Sequence, residues 1–363
     1  MAINDKNITA DYPRNNTRIA ATSVVTPTYS VTQPQAEAFL KKYYSDKLSR
    51  KSLKVMHKVF SHPSVLHRHL AVDAIENLVD EHPDIRIARF TKWAVELASQ
   101  AIVKALAQAK RDASDVTGLV VNTCTGYICP GISTYLIERL GLSERIRAHD
   151  LVGSGCGGAI PNLQMCSDML DGHGDGVVLS VSVEICSATF QMADDLSLIV
   201  SNAIFADGAS ASVLWRRPAG LTLIAASSRY DTCAREDIRY VYKNGQLHNQ
   251  LSISLPAVAS KAAATVVNDL LESAGLETRD ISHWAFHPGG EKVINAIRDE
   301  LHLPESHIKA TRNVLAKYGN MSSPTVYFVL QEILNNGGMK TGDWCVMVTF
   351  GAGLCAHALL LRA

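Results

Sequence analysis

Residues 153–158 read Gly153-Ser154-Gly155-Cys156-Gly157-Gly158 and place one cysteine among four glycines. Glycine permits the tight turn by which a strand enters a helix, and it leaves the side chain at that turn accessible. Unpaired backbone N–H groups and the helix dipole lower the pKa of a thiol at such a position. The stretch therefore predicts a strand-turn-helix unit of an α/β fold, with Cys156 as a nucleophile of thiolate character.

Two other interpretations of this stretch stay open. An unpaired cysteine is often only a small residue of a protein core. Gly153, Gly155 and Gly158 also match the GxGxxG pattern of a dinucleotide-binding loop, and a strand-like segment at 148–152 precedes them. That pattern normally has an acidic residue about 20 positions further on, whereas Glu184 comes later. The nucleophile is therefore the favoured interpretation.

The same order of elements occurs twice along the chain. Apolar positions from Ala94 onward predict a helix that leads into the buried strand 119–121 and then to Cys124. A second helical pattern leads into the strand 284–286 and then to His287. This duplication predicts a layered α/β fold of two similar lobes whose strand ends meet at a central site.

The lobes are placed at 1–217, with Cys156, and at 218–363, with His287 and Asn320. The first lobe carries a helix-rich segment at 33–97, whose many Lys and His residues indicate a peripheral position.

His287 and Asn320 are the other candidate catalytic residues. His287 follows a buried strand and precedes Pro288-Gly289-Gly290, which breaks regular structure and lets backbone approach a ligand. Asn320 follows Gly319 and precedes small residues. Each alone is ordinary turn chemistry. At corresponding points of a duplicated fold, opposite Cys156, the three together predict a covalent acyl-transfer site.

Four motifs carry a resemblance to a known family. They are Gly155-Cys156-Gly157-Gly158, His287-Pro288-Gly289-Gly290, Tyr318-Gly319-Asn320-Met321-Ser322-Ser323 and Phe350-Gly351-Ala352-Gly353. In order and spacing, over nearly the whole chain, they resemble type III polyketide synthases of the bacterial type, in the chalcone and stilbene synthase family. The resemblance implies a thiolase fold with five α-β-α-β-α layers, a homodimer, CoA thioesters as substrates, and no metal or redox cofactor.

The resemblance also implies a role for each residue. Cys156 takes a starter acyl group from an acyl-CoA. His287 and Asn320 bind the thioester oxygen of malonyl-CoA, so that the charge left by decarboxylation is stabilised where it develops. The enolate then attacks the acyl group on Cys156, and the extended chain returns to this thiol for further rounds before it cyclises.

Further positions match the family's substrate channel, although each is as easily an ordinary strand, turn or core residue. By resemblance, the pocket residues are Cys124, Thr125, Cys129, Thr189, Phe205, Ile253 and Ser322, and the CoA-binding residues are Lys54, Lys58 and His62. Phe205 matches a phenylalanine at the mouth of the CoA channel, and Cys129 holds the place of a methionine that reaches into the partner's cavity. Ile253, once a one-residue gap is allowed, replaces a second gatekeeping phenylalanine, which favours an aliphatic starter. A solvated helix face is the alternative for Lys54 and Lys58.

Composition disfavours other classes of function. Lys+Arg and Asp+Glu balance at 35 each, so the chain has no overall attraction to nucleic acid or anionic membrane. No apolar run reaches the roughly 18 residues of a membrane span, and residues 1–16 show no apolar leader region, so a cytoplasmic protein is expected. Eight cysteines without a CxxC pair fit reduced thiols. The histidines at 57, 62, 67 and 69 lack a Cys or carboxylate that would complete a metal site.

Three functions are therefore compared. The favoured one is a type III polyketide synthase, an acyltransferase that makes an alkylresorcinol or an alkylpyrone. A single-round β-ketoacyl synthase acting on CoA or carrier-protein thioesters is the alternative, although His287-Pro288-Gly289-Gly290 argues against it. A non-catalytic partner subunit is disfavoured by an intact set of Cys156, His287 and Asn320.

Overall fold

The computed structural model of this chain describes residues 9–11, 17–171, 176–243 and 245–363. Its strands are β1 Thr9–Asp11, β2 Arg18–Val25, β3 Ser30–Thr32, β4 His67–His69, β5 Val116–Asn122, β6 Arg147–Leu151, β7 Val177–Ile185, β8 Asp207–Trp215, β9 Leu221–Tyr230, β10 Ile238–Lys243, β11 Gln246–Leu251, β12 His283–Phe286, β13 Trp344–Gly351 and β14 Cys355–Arg362. Its α-helices are α1 Gln33–Tyr44, α2 Arg50–Phe60, α3 Pro83–Ala109, α4 Ile132–Leu140, α5 Ala159–Asp171, α6 Leu196–Ile204, α7 Leu255–Ala274, α8 Glu291–Glu300, α9 Glu305–Tyr318 and α10 Thr325–Asn335.

The large sheet contains the predicted duplication. Its strands follow the order β12-β13-β14-β9-β2-β8-β7-β5-β6, and β1 pairs with β9. In one half β5 and β7 are parallel while β7 and β8 are antiparallel. In the other half β12 and β13 are parallel while β13 and β14 are antiparallel. The two halves meet where Arg18 and Ile19 of β2 pair with Thr222 and Leu221 of β9.

Three hydrophobic cores divide the molecule into layers. Residues of α3 and α4 pack on the half that contains β5, β7 and β8. Residues of α7 and α8 pack on the half that contains β12, β13 and β14. Between the halves, α5 and α10 share a core with strands of both. This is the five-layered α-β-α-β-α architecture of the thiolase fold, so the predicted fold class is confirmed. The predicted lobe boundary, at 217 and 218, falls in the connection from β8 to β9.

Helix α3 is longer than the sequence predicts. It begins at Pro83, which is in its first turn. The ring of the preceding residue, His82, accepts a hydrogen bond from the backbone N–H of Asp84. Ile85 and Ile87 in the first turns are exposed, so this part of the helix carries no inward apolar stripe. Periodicity therefore detected the helix only from Ala94, because Phe90 is the single buried position of α3 before it.

The helix-rich segment forms a separate small core. Phe39 and Leu40 of α1 pack with Met56 and Phe60 of α2 and with Ile199 of α6. This arrangement gives α1 and α2 a hydrophobic core separate from those of the large sheet and packs them against α6, which ends beside Phe205.

In the described ranges, no helix is both long enough and apolar enough to cross a bilayer. The predicted absence of a leader concerns residues 1–16, which lie outside the described residues except for Thr9–Asp11.

Candidate active site

Cys156 lies on the predicted turn between a strand and a helix. After β6 the chain passes Gly153 and Gly155, whose φ angles of 97° and 55° are in the left-handed region that favours glycine. A 3₁₀ turn, Gly155–Gly158, then leads into α5. The backbone N–H of Gly157 donates to the carbonyl of Ser154 at 3.0 Å. The Cys156 side chain is therefore held at the helix entrance, as the sequence predicts.

The end of β13 packs against the backbone of this turn. A Cβ on Gly351 would lie 2.1 Å from the Ser154 carbonyl oxygen and 2.4 Å from the Gly157 nitrogen. The Thr349 hydroxyl donates to the Gly157 carbonyl at 3.1 Å. Because Gly351 has no side chain, the second lobe contacts the backbone of the nucleophile turn directly.

His287 follows β12 and is almost completely buried. Its backbone N–H donates to the Val348 carbonyl at 2.8 Å, which continues the strand pairing by one residue. Its ring packs edge-on against Phe350, with 5.2 Å between the ring centroids. Neither ring nitrogen has a hydrogen-bond partner within the part of the chain that the structure describes. Burial lowers the pKa of this imidazole to about 3, so the ring is neutral at physiological pH.

Asn320 is fixed by the backbone beside Phe205. Its N–H donates to the Ile204 carbonyl at 2.8 Å, and its carbonyl accepts from Ala206 at 2.9 Å. Its side-chain oxygen accepts from the Ser322 N–H at 2.8 Å. The amide orientation is therefore set by a three-residue turn.

Contacts through intermediate residues bring the three candidates together. The Asn320 side-chain NH₂ donates to the carbonyl of Gly289, two residues after His287, at 3.3 Å. Two residues after Asn320, Ser322 lines the same small cavity as Cys156. The predicted catalytic residues thus lie around one site, although His287 is more than 130 positions after Cys156 in the sequence.

The protonation state of Cys156 differs from the sequence-based expectation. Its side chain is only 7% exposed. This burial raises the pKa of the thiol to about 12, while the Ser322 hydroxyl acts in the opposite direction and lowers it. The position of Cys156 at the N-terminus of a helix was expected to lower the pKa of its thiol and favour the thiolate. Burial raises this pKa by more than the helix lowers it. In this structure the site holds a neutral thiol and a neutral imidazole.

The thiol faces a small cavity of about 30 Å³, here called the nucleophile cavity. Of the predicted pocket residues, Cys124, Phe205 and Ser322 line it. Tyr240 and Asn249 also line it, although the sequence did not single them out. A surface cleft of about 790 Å³ shares Cys124 and Tyr240 with this cavity, so the cleft adjoins the cavity that the thiol faces.

A buried carboxylate beneath the cavity was also missed. Glu184 accepts hydrogen bonds from the Cys124 N–H at 2.9 Å, the Thr125 hydroxyl at 2.9 Å and the Ser323 hydroxyl at 2.7 Å. Burial raises the pKa of Glu184, and these hydrogen bonds act in the opposite direction. Thr125 therefore contributes to the site through Glu184. The available signal was a glutamate near the end of a strand whose residues are all buried.

Four predicted pocket residues, Thr125, Thr189, Cys129 and Ile253, do not line the nucleophile cavity, and Thr189 lines a neighbouring cavity instead. Ile253 is fully exposed, because β11 ends at Leu251 and the chain turns outward before α7. On β11 itself, the residue that lines the cavity is Asn249. The placement of Ile253 at the channel junction is therefore wrong in this structure. Cys129 is exposed on the loop before α4.

The predicted CoA-binding residues lie on the molecular surface. Lys54 and Lys58 are exposed on α2, and His62 is exposed just after it. Their role in CoA binding stays a prediction. Among the described residues, no group of three or more His, Cys, Asp or Glu side chains is arranged to hold a metal ion.

Comparison with known proteins gives consistent matches. Residues 23–270 match the family model of FAE1/type III polyketide synthase-like proteins, and residues 235–363 match the C-terminal domain of chalcone and stilbene synthases. A 1,3,6,8-tetrahydroxynaphthalene synthase from Streptomyces peucetius subsp. caesius is 32% identical over 273 residues, which cover 73% of this chain and 72% of the relative. A 3,5-dihydroxyphenylacetyl-CoA synthase from Streptomyces toyocaensis is 29% identical over 317 residues, covering 84% and 81%. The crystal structure of PKS-I from the brown alga Ectocarpus siliculosus matches with a TM-score of 0.87 and 25% identity, covering 95% and 98%.

Proposed function

This chain belongs to the type III polyketide synthases, and from that premise we propose that Cys156 carries the growing polyketide. The family matches favour repeated condensation over the single-round β-ketoacyl synthase and over the non-catalytic partner subunit. The observation that carries the proposal is a buried thiol on a glycine turn, facing a cavity that adjoins a surface cleft. Cys156 Sγ attacks the starter thioester carbonyl, and the CoA thiol leaves.

His287 and Asn320 bind malonyl-CoA, the unit that extends the chain. The unpartnered ring nitrogens of His287 support a neutral N–H donor to the thioester oxygen of malonyl-CoA. The Asn320 NH₂ group, held near Gly289, supplies the second donor. As carbon dioxide leaves, both donors stabilise the enolate oxygen. The enolate carbon then bonds to the acyl carbon, and the bond from that carbon to Cys156 Sγ breaks.

Loading requires the Cys156 proton to move. Burial raises the thiol pKa and lowers the imidazole pKa, so desolvation disfavours each charge when it is formed alone. A thiolate and an imidazolium formed together attract each other in a site of low dielectric, which offsets part of both penalties. We propose that this proton transfer to His287 accompanies entry of the starter, and that His287 passes the proton to the departing CoA sulfur, so that CoA leaves as a thiol and the imidazole is neutral again.

The remaining features of the proposal concern substrate and assembly. The starter is an aliphatic acyl-CoA, and the product is an alkylresorcinol or an alkylpyrone. Lys54, Lys58 and His62 bind the CoA phosphates. The enzyme acts in the cytoplasm as a homodimer in which the exposed Cys129 loop meets the partner, and it needs no metal or redox cofactor.

The test is an incubation of the purified enzyme with malonyl-CoA and a panel of acetyl-, aromatic, medium-chain and long-chain acyl-CoAs, followed by mass analysis of the products. We expect starter-dependent products that contain several malonyl-derived units. Cys156→Ala should abolish both product formation and acyl labelling of the protein. Persistent acyl labelling of the folded Cys156→Ala variant, seen by intact-protein mass spectrometry, would disprove the assignment of the nucleophile.

A further inference from the structure

Arg68, on β4, is a buried cation without a close carboxylate partner. The residue is only 5% exposed, and no described carboxylate forms an ion pair with it. By contrast, the guanidinium of Arg89 lies 2.8 Å from the carboxylate of Glu81. Burial lowers the pKa of Arg68 to about 10, while the charge of Asp207 acts in the opposite direction, so Arg68 stays charged at neutral pH. A buried charge without a close partner lowers stability, so its presence requires another explanation.

The guanidinium of Arg68 holds the end of α6. Its Nη1 group donates to the Phe205 carbonyl at 3.0 Å, and its Nε group donates to the Gln33 side-chain oxygen at 3.0 Å. The Gln33 NH₂ group in turn donates to the Ala203 carbonyl at 2.8 Å. Carbonyls at the C-terminus of a helix lack partners within the helix, and the helix dipole attracts a cation there. The ring of Phe60, whose centroid is 5.7 Å from the guanidinium carbon, also stabilises the charge.

The same arginine packs against the segment that carries Asn320. A Cβ on Gly319 would lie 2.9 Å from Arg68 Cγ, so the stem of the arginine touches this glycine. The N–H of Asn320 donates to the carbonyl before Phe205, and its carbonyl accepts from the N–H after Phe205. The carbonyl of Phe205 itself is the one that Arg68 holds. Arg68 therefore contacts both segments of this pairing, one through its stem and the other through its guanidinium.

We propose that Arg68 is a positioning residue for decarboxylation of malonyl-CoA, and that it acts through Asn320. By holding residues 319–320 against residues 204–206, it keeps the Asn320 NH₂ group directed at the thioester oxygen. The inference rests on the proposed function, in which Asn320 is an oxyanion donor, and adds a residue to it. A planar guanidinium donates in two fixed directions at once, which an apolar side chain of similar shape cannot do. Displacement of a reacting group by about 1 Å can lower a rate by about 10²-fold, so loss of this support should be measurable.

The test separates decarboxylation from loading. Arg68→Met keeps an apolar stem beside Gly319 but removes the charge and the donors. We expect the kcat for decarboxylation of malonyl-CoA without a starter to fall about 10- to 100-fold, with KM nearly unchanged. Loading of Cys156 by an acyl-CoA, followed by intact-protein mass spectrometry, should change less than about twofold, because Asn320 does not take part in that step.

Two further comparisons show whether Arg68 acts through Asn320. If it does, Arg68→Met should lower decarboxylation much less in an Asn320→Ala background, because the donor that it positions is already absent. Arg68→Lys keeps the charge and should restore part of the rate. Arg89→Met is the matched control, since it also removes an arginine whose side chain is largely buried. It should lower stability and leave the ratio of decarboxylation to loading unchanged.

Thermal unfolding identifies the folded variants. If Arg68→Met does not fold, Gln33→Leu, which removes the acceptor of Arg68 Nε, should give a smaller fall in the same ratio. Full multiplication of the two effects in the double variant, equal falls in decarboxylation and loading, or an unchanged ratio in folded Gln33→Leu would overturn the inference. Unchanged decarboxylation in Asn320→Ala alone would instead overturn the donor role in the proposed function, and the inference with it.

Discussion

His287 combines two properties that a structural histidine rarely has. It is buried, yet both ring nitrogens lack hydrogen-bond partners among the described residues. An unsatisfied buried polar group lowers stability by about 1–3 kcal/mol. Groups of this kind are retained where they have to meet a substrate. We therefore interpret the stability lost at His287 as the consequence of keeping an N–H donor free for the malonyl thioester.

This interpretation predicts opposite effects on stability and activity. His287→Leu removes the unsatisfied nitrogens while keeping apolar contact with Phe350, so the free energy of unfolding should not fall and should rise by up to about 1–2 kcal/mol. Decarboxylation of malonyl-CoA should fall about 10²-fold or more, because an oxyanion donor is lost. Denaturant unfolding and carbon dioxide release check the two effects. Normal decarboxylation by the folded variant would contradict the role.

At the scale of elements, the end of β13 packs directly against the backbone of the turn that carries Cys156, and we call this contact the joint. Gly351 lets the strand end approach the backbone of Ser154 and Gly157. Backbone atoms cannot move aside as the end of a flexible side chain can. The position of the Cys156 thiol is therefore set by the second lobe as well as by its own glycines.

Gly351→Ala tests this joint. The added methyl group would have to push the nucleophile turn away from β13, so we expect a loss of about 1–3 kcal/mol in stability and a marked fall in the rate of Cys156 acylation. Gly118→Ala in β5 is the control, since its closest contact is the terminal Cε of Met169, which can rotate away. Acylation kinetics and thermal unfolding measure both. Equal rates in the two variants would show that the joint does not position the thiol.

The sequence did not predict which residues of the hairpin of β10 and β11 face the nucleophile cavity. Ile253 was aligned by motif spacing, but which hairpin residue faces the cavity depends on where β11 ends and on strand alternation. Asn249 and Tyr240 face it, and neither stands in a recognisable motif. By contrast, Cys156, His287 and Asn320 could be found because glycines and proline beside them mark irregular backbone at strand and helix ends.

At the scale of the whole molecule, the two lobes were predictable because their buried strands are continuous apolar runs. Protonation states were not, because a pKa depends on burial that many distant residues create together. The expected thiolate at Cys156 is the clearest example, since local turn chemistry predicted a lowered pKa and burial raises it.

Burial of histidines also predicts how the fold responds to acid. His287 and His357 have pKa values lowered by burial to about 3 and about 4. The unfolded chain has histidine pKa values near 6.5, so below about pH 6.5 it binds more protons than the folded chain, and the stability of the fold decreases. Between pH 7 and pH 5 each histidine should account for about 2 kcal/mol of this decrease.

The measurement is the free energy of unfolding at pH 7, 6 and 5 for the natural protein and for His357→Gln. Between pH 7 and pH 5, the loss of stability that comes from these two histidines should be about half as large in the variant, because only His287 remains. An unchanged decrease in the variant would show that His357 does not contribute. The Ser228 hydroxyl, 2.8 Å from His357 Nδ1, is retained in both proteins.

The small core formed by α1 and α2 is separate from the three cores that pack on the large sheet, yet Phe39 and Leu40 of α1 line a cavity of about 50 Å³ that shares Phe205 and Asn249 with the nucleophile cavity. The α1 wall of that cavity and the strands that carry the catalytic residues therefore pack in different hydrophobic cores. Mutational drift in that wall can change which substrates fit without disturbing the catalytic frame. A lineage could thus diversify its products by altering this peripheral layer alone, and directed evolution of chain length is best begun there.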